Sequence, residues 1–456
     1  MSFFPDSAVY FLGIGGVSMS SLAMILADNG VTVAGSDRQS SDNTEKLISR
    51  GIPVYIGFDP AHQDGFNTVV CTAALRDDDP ELLLAKERGA KIMTRAELLG
   101  ELMAGYAHSI GVAGTHGKST TTGMLHEIFS AANADATVLA GAVIPSLNGA
   151  YRLGKGDTAV FEACEYKNSY HAMHPTIRLV LNTELDHVDF FGNMDNVISS
   201  FRKYLDTPSG SSENIAVINA DCESCLKAAE GIGTKVYTFS RERTDVDFAA
   251  TNIMMSHGYA SFDFLAQGKV YAHIRLGVPG LHNVTDAAAA AACAYLCGMK
   301  PYAIEKGLST FRGVMRRFER VGTTKSGALI FDDYAHHPDE IRATLAAAKA
   351  VAGGAKVICV FQPHTYTRFE AMMPEFAAAL DAADEVILAD IYAAREENIH
   401  DIKVSDMIKH LPKARYVGNF LKIAAELGGL AKEGDLIITM GAGDIYRLIP
   451  LIRDTL

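Results

Sequence analysis

The sequence predicts an α/β protein of three units, each a parallel sheet with helices on both faces. Three observations predict it. Short apolar runs alternate with helical stretches almost throughout, and glycine-rich strand–turn–helix junctions restart the pattern. The length of 456 residues, at about 100–200 per domain, allows two to four domains.

Apolar runs of four to six residues between helices mark strands buried on both faces, as in parallel sheets. AVYFLGIG comes first, followed by the helical SMSSLAMILADNG and then VTVAGSD, which ends at Asp37. NTVVCTAA, HSIGVAG, TAVFEA, RLVLNTE and NIAVINA follow, each bounded by loop or helix signals. The last third repeats the scheme in ALIFDDY, KVICVFQP, EVILADIY and DLIITMGAG, separated by alanine-rich helices. One region differs. Between Val246 and Leu276 the runs FAATNIMM, YASFDFLA and KVYAHIRL alternate with strand period around HG and QG turns, which predicts a β-hairpin excursion. The junctions place the units at residues 1–107, 108–314 and 315–456.

Hydrophobic residues make up 48%, enough for sizeable cores. With 54 acidic against 41 basic residues the net charge is −13, which argues against nucleic acid as a partner but leaves room for local phosphate pockets. No Lys or Arg precedes Arg38, so the apolar stretch Tyr10 to Ala27 lacks the basic lead of an export signal. A cytoplasmic chain without membrane insertion is expected, and a homo-oligomer is left open. Seven scattered cysteines fit a reducing compartment. Cys222 and Cys225 form a C-x-x-C with no second pair beside it, so zinc, which takes four ligands, is not expected. DCESCLKAA reads as the start of an exposed helix, and the pair as structural.

The strongest local chemistry runs from Gly111 through Gly114, Thr115, His116, Gly117, Lys118, Ser119 and Thr120 to Thr122. It follows the strand HSIGVA and opens a helix. Such a turn aims backbone N–H groups at phosphate oxygens, and the helix N-terminus adds favourable partial charge. Lys118 suits the β/γ-phosphates and the Ser119 hydroxyl suits Mg²⁺. The spacing departs from G-x-x-x-x-G-K-[ST], with Val112 where glycine is usual. A second turn, Gly13, Gly15 and Gly16 with Ser18, lies between the first strand and helix. It suits a diphosphate, with Asp37 at the next strand end for a sugar or base hydroxyl. Ser18 stands where G-x-G-x-x-G has its last glycine, and by itself the turn leaves a nicotinamide enzyme and a purely structural turn as rival readings.

Two acidic clusters follow the phosphate loop: Phe161-Glu-Ala-Cys-Glu165 and Leu181-Asn-Thr-Glu-Leu-Asp-His-Val-Asp189. ATP chemistry needs Mg²⁺ on phosphate oxygens, and Glu162 and His187 are best placed to serve it. An imidazole is an unusual Mg²⁺ ligand, so His187 reads equally as a hydrogen-bond donor to phosphate or carboxylate. Glu165, Asp186 and Asp189 read as solvated loop charges as readily as ligands. Arg316, Arg317 and Arg320 read as a solvated basic face or as phosphate contacts.

Taken together, these motifs resemble the Mur ligase family. The resemblance spans essentially the whole chain, in order, through FLGIGGVSMSSLA, GSD, TRAELLGEL, GTHGKSTTT, LNTELDHVDFF, PGLHNVTDAAAA, GVMRRFE, DDYAHHPDE, FQPHTYTR, DIYAAREE and MGAGDI. It implies a Rossmann-like N-terminal domain for the UDP end of a substrate, a central P-loop ATPase-type mononucleotide-binding domain, and a Rossmann-like C-terminal domain for an amino acid. It also implies ATP and Mg²⁺. ATP would phosphorylate the lactyl carboxylate of UDP-N-acetylmuramate, and the amine of L-alanine would attack the acyl phosphate, in peptidoglycan precursor synthesis. GIGGVSMS and the YAHHP–FQPHTYTR pair favour alanine addition over attachment of a whole tripeptide. By resemblance, Lys118 contacts the transferring phosphoryl group, and Ser119, Glu162 and His187 hold metal. His282 and Asn283 meet adenine, Arg317 and Asp333 reach the nucleotide, and His336 and Arg368 meet the amino acid. Three positions depart from the family pattern: Cys164 for an Asp, Asp286 for an Asn, and Thr365 for an Arg.

Overall fold

The computed structural model describes residues 8–72, 75–209, 214–394 and 396–455. Three sheets account for the strands. The first holds β1 (Ala8–Leu12), β2 (Thr32–Asp37), β3 (Val54–Ile56), β4 (Thr68–Cys71) and β5 (Lys91–Thr94). Its order, β3-β2-β1-β4-β5, is parallel throughout. Reversal of strand order beside β1 opens a crevice at its carboxyl end, where open sheets bind ligands.

The second sheet holds β6 (His108–Ala113), β7 (Thr137–Ile144), β8 (Gly149–Arg152), β9 (Thr158–Glu162), β10 (Ile177–Val180), β11 (Ile215–Asn219), β12 (Lys235–Ser240), β13 (Phe248–Ser256), β14 (Tyr259–Ala266) and β15 (Lys269–Pro279). The order is β15-β14-β13-β12-β11-β10-β6-β9-β7-β8, so the strand before the phosphate loop is central. The hairpin excursion is β13 to β15. Its two-residue turns place His257 and Gly258 at φ 47° and 81°, and Gln267 and Gly268 at 50° and 74°. Paired positive φ values are what a type I′ hairpin turn requires, which is why glycine ends each pair.

The third sheet holds β16 (Glu319–Thr323), β17 (Leu329–Asp333), β18 (Val357–Phe361), β19 (Glu385–Ala389), β20 (Ala414–Gly418) and β21 (Leu436–Met440). Its order is β16-β17-β21-β18-β19-β20, with only β16 antiparallel. The expected α/β class with parallel, helix-covered sheets is therefore what the chain adopts.

By compactness the chain forms two units. One is Met1–Thr251, Asp263–Ile274 and Thr285–Thr310; the other is Asn252–Phe262, Arg275–Val284 and Phe311–Leu456. In the first unit a single apolar cluster joins Val9, Leu22 and Leu99 to Phe161, Tyr170 and Phe201. The helix Arg95–Ala104 packs so tightly there that a Cβ at Gly100 would collide with the Ala172 carbonyl. Arg50 bonds the Tyr151 hydroxyl, which also donates to Asp28 at 3.3 Å. In the second unit two clusters cover the two faces of the sheet, one built on Phe361, Phe369 and Phe376, the other on Ile358, Ile437 and Leu448.

Candidate active site

At the carboxyl end of β6 the chain turns through Gly114 (φ 143°) and Gly117 (φ 84°) into the helix Lys118–Ala131. Gly117 is doubly required. Its φ is left-handed, and a Cβ there would lie 2.6 Å from an Asp286 carboxylate oxygen. That places the departure at 286 against the loop. The β10 exit pins the loop from the other side. Asn182 Oδ1 accepts from the His116 N–H at 2.8 Å, and its Nδ2 donates to the His116 carbonyl at 3.2 Å. Glu184 N–H donates to Thr115 Oγ1 at 2.9 Å, and its carboxylate meets His116 Nε2 at 3.1 Å.

Lys118 folds back over this turn. Its Nζ donates to the carbonyls of Gly114 at 2.5 Å and Thr115 at 3.1 Å, and to both Glu165 oxygens at 3.1 and 3.3 Å. Burial works against its charge, but Glu165 foremost, then Cys164 and Glu162, outweigh it and hold the pKa above the ordinary lysine value. Glu165, expected as readily to be a solvated loop charge, is instead 4% exposed and is the counter-ion of the loop lysine.

Glu162 ends β9, where its Oε1 accepts from the Gly141 N–H at 2.6 Å. A Cβ at Gly141 would approach the other oxygen to 2.6 Å. His187 has φ 50°, its ring tilts against Tyr166 with centroids 4.5 Å apart, and its Nε2 lies 3.9 Å from Glu165. Ser119 is buried in the first turn of the helix and Thr120 beside it is half-buried. By donor type the Ser119 hydroxyl and the Glu162 carboxylate suit a hard divalent cation, and His187 is the outlier. Asp186 accepts from the His187 N–H at 2.7 Å, and the Asp189 side chain lies outside the described residues.

The N-terminal turn is built differently. Gly13 and Ile14 both donate to the Ser36 carbonyl at 2.9 Å, bending the chain off β1. Asp37 Oδ2 accepts from the Gly15 N–H at 2.8 Å, so this carboxylate braces the turn. A Cβ at Gly15 would meet it at 2.8 Å and Thr44 at 2.9 Å. Gly16 caps the helix Val17–Asp28 without a side-chain hydrogen bond, leaving its first amides for a ligand. Ser18 accepts from Arg95 at 3.0 Å, a cation the sequence motif did not flag.

In the second unit, Asn283 is buried and donates to the Pro279 carbonyl at 2.7 Å, and the Gly280 turn (φ 107°) leaves no room for a Cβ beside His282. At the carboxyl end of β17, Asp333 accepts from Phe318 N–H and Ala335 N–H at 2.6 Å each. Burial pushes its carboxyl up to about 6, against the pull of Arg317. Arg317 pairs with Glu340 at 3.3 Å and lies over the Tyr334 ring. His336 Nδ1 faces the Tyr334 carbonyl at 3.1 Å and Glu340 at 3.2 Å. Burial brings it down to about 4, with Glu340 opposing and Arg368 assisting. Burial, helped by Arg368 on the helix Tyr366–Ala371, also lowers His364, whose ring lies 6.1 Å from that of His336. Thr365 caps that helix at φ 65°, ψ 146°, a region β-branched residues avoid. Arg316 is no solvated face: it pairs with buried Asp332 at 3.2 Å and donates to the Gly441 carbonyl at 2.6 Å.

Three family models match in series. Residues 8–107 match the catalytic domain model of the Mur ligase family, 112–294 the Mur ligase middle domain, and 316–443 the Mur ligase glutamate ligase domain. The chain is 43% identical over 449 residues to a UDP-N-acetylmuramate–L-alanine ligase of Caldicellulosiruptor bescii, covering 97% of each. It is 42% identical to the protein of that description in Caldicellulosiruptor saccharolyticus, covering 98% of each. Among solved structures, a UDP-N-acetylmuramate–alanine ligase of Thermotoga maritima matches with a TM-score of 0.81 at 28% identity, covering 98% of each chain. A murein peptide ligase of Psychrobacter arcticus shares the fold, with a TM-score of 0.72 at 24% identity over 99% of each chain.

Proposed function

The chain belongs to the Mur ligase family, and from that premise we propose that it joins L-alanine to the lactyl carboxylate of UDP-N-acetylmuramate, at the expense of ATP, in the cytoplasm. The observation that carries the reaction class is Lys118: an ammonium kept charged by a buried glutamate where a helix opens toward phosphate. The alanine specificity rests on relatives about 40% identical over the full chain.

The chemistry follows from these groups. Lys118 and the first amides of its helix bind the β- and γ-phosphates of ATP and stabilise charge on the transferring phosphoryl group. Ser119, Glu162 and His187 would hold Mg²⁺, which supplies charge neutralisation along the phosphates when bound. The lactyl carboxylate takes the phosphoryl group and becomes an electrophilic acyl phosphate. Amine attack on its carbonyl carbon then gives a tetrahedral centre that expels phosphate. Gly13, Gly15, Gly16 and Ser18, braced by Asp37, receive the UDP end. His282 and Asn283 receive adenine, and Arg317 and Asp333 flank the nucleotide. Arg368 takes the alanine carboxylate through its planar fork, and His336, neutral at physiological pH, accepts a hydrogen bond from the amine.

Phosphate release with ATP and UDP-N-acetylmuramate tests this, with L-alanine, with a tripeptide, or with neither. Release that depends on L-alanine is expected. Release that depends on the tripeptide instead would make the chain a recycling ligase.

A further inference from the structure

The motif that the reaction leaves unused is Cys222-Glu-Ser-Cys225. Its helix, Glu223–Ala229, is not simply exposed: Cys225 is fully buried on its inner face, while Cys222 at its start is half-buried. Both sulfurs converge on one hydroxyl. Thr183 Oγ1 lies 3.7 Å from Cys222 Sγ and accepts from the Cys225 thiol at 3.8 Å. That hydroxyl then donates to Ser224 Oγ at 2.5 Å, and Ser224 donates to the Thr183 carbonyl at 2.8 Å. Thr183 stands between Asn182 and Glu184, the two residues that pin His116 and Thr115 of the nucleotide loop.

We propose that Cys222 and Cys225 are a redox-sensitive dithiol, and that a peroxide converts them to a disulfide that loosens the nucleotide loop. Cys222 is the attacking sulfur. It is the more exposed of the two, and its thiol is brought down to about 5, chiefly by the neighbouring Cys225 and against burial. Cys225, raised by the same pairing and by burial, keeps its proton and resolves the intermediate. In the first step the Cys222 thiolate attacks a peroxide oxygen, the O–O bond breaks, and a sulfenic acid forms while the departing hydroxide takes a proton from solvent to become water. In the second, the Cys225 sulfur displaces the sulfenic oxygen, its proton leaves with that oxygen as a second water, and the S–S bond closes. Two electrons pass from the two sulfurs to the peroxide. Residues three apart at a helix start lie within the Cα separation a disulfide spans.

The consequence follows from donor counting. A disulfide has no S–H, so Thr183 Oγ1 loses the Cys225 donor, and the segment holding the loop is left with its two bonds to Ser224. Losing one neutral hydrogen bond weakens binding by about 2- to 10-fold. Oxidation is therefore expected to raise the dissociation constant for ATP by that factor, reversibly with dithiothreitol.

The inference rests on the nucleotide reading of the loop, and its test does not need the ligase reaction. Reduced full-length protein is treated with hydrogen peroxide, alkylated and digested with trypsin. Cleavage after Lys203 and Lys227 puts Cys222 and Cys225, and no other cysteine, on one peptide. That peptide should be 2 mass units lighter than its reduced form and take up no alkylating reagent. ATP binding to the same samples is measured by titration. Cys222→Ser should keep its affinity before and after peroxide. Full alkylation of both sulfurs after oxidation would overturn the proposal. So would unchanged ATP affinity in the oxidised wild type, or an equal loss in oxidised Cys222→Ser, which would place the effect at another thiol such as Cys164.

Discussion

The phosphate loop and the β17 exit bury ionisable groups to a similar degree and treat them in opposite ways. At the loop, Lys118 stays charged because Glu165 lies 3.1 Å away, with Cys164 and Glu162 behind it. At the β17 exit burial prevails, so Asp333 rises to about 6 and His336 falls to about 4. The difference is the counter-charge. A desolvated ion keeps its charge where an opposite ion faces it closely, and shifts toward its neutral form where burial outweighs the amides and charges of mixed sign around it. One site is thus built to present charge to phosphate, and the other to hold a neutral imidazole near Arg317 and Arg368, beside a carboxyl that takes up its proton only below about pH 6.

Removing the charge itself breaks the comparison most. Lys118→Ala should lower kcat by about 10²-fold or more, as for loss of an electrostatic stabiliser of the transition state. Turnover near normal at saturating ATP would remove Lys118 from the reaction. At the opposite site the arginine should matter through binding. Arg368→Ala is expected to raise the KM for L-alanine by roughly 10- to 100-fold, with Arg368→Lys recovering only part of it. Steady-state kinetics at saturating levels of both other substrates decide this, and an unmoved alanine KM gives the carboxylate to another group.

Glu165→Gln sharpens the comparison by making the loop resemble the β17 exit. With its main counter-ion gone, Lys118 should titrate lower, so the alkaline limb of the pH–rate profile should shift downward and kcat fall by about 3- to 10-fold. A profile that overlies the wild type would make Glu165 a packing residue only.

The smallest effect is on stability. Asp333, raised, lends stability below its unfolded value near 4 that is lost as pH climbs through about 6. His336, depressed, does the reverse: as pH drops from about 6.5 to about 4, the unfolded chain takes a proton the fold refuses, and stability falls. The two slopes oppose each other between pH 4 and 6. His336→Gln removes one of them, so strands of the second unit should then lose protection as pH rises through that window. Hydrogen exchange followed by mass spectrometry, corrected for intrinsic rates, reads the slope, and equal slopes in variant and wild type would count against the assignment.

Strands with strong apolar runs were legible in the sequence, and all eleven named parallel runs correspond to strands, as do the three of the hairpin excursion. Weaker strands were not. β3 has three residues, β5 alternates with exposed positions, and β16 and β20 lie at sheet edges where half their side chains meet water. In the site, the loop and the acids at strand ends carry a spacing signal. The role of Glu165 does not, because a counter-ion 47 positions from its lysine is brought there by the sheet order. Asn182 and Glu184 follow a strand directly, and that was the available sign that they line the loop. The C-x-x-C spacing lacks the second ligand pair of a zinc site, and the Thr183 hydroxyl that its sulfurs share comes from a strand exit 39 positions away, which spacing does not show.

The shared core of the first unit has a consequence for how the chain is made. Leu98, Leu99, Leu102 and Met103 on the helix before residue 107 are buried in one cluster with Tyr170, Phe201 and Leu205. A nascent chain that has completed β1 to β5 therefore still shows an apolar helix face with nothing to cover it. About a hundred further residues must emerge, which takes roughly 5–20 s at ordinary rates of synthesis. Throughout that interval the unfinished sheet is a sticky surface. A fragment cut at the 107/108 border would keep it permanently, so it should aggregate where a fragment ending near residue 310 does not.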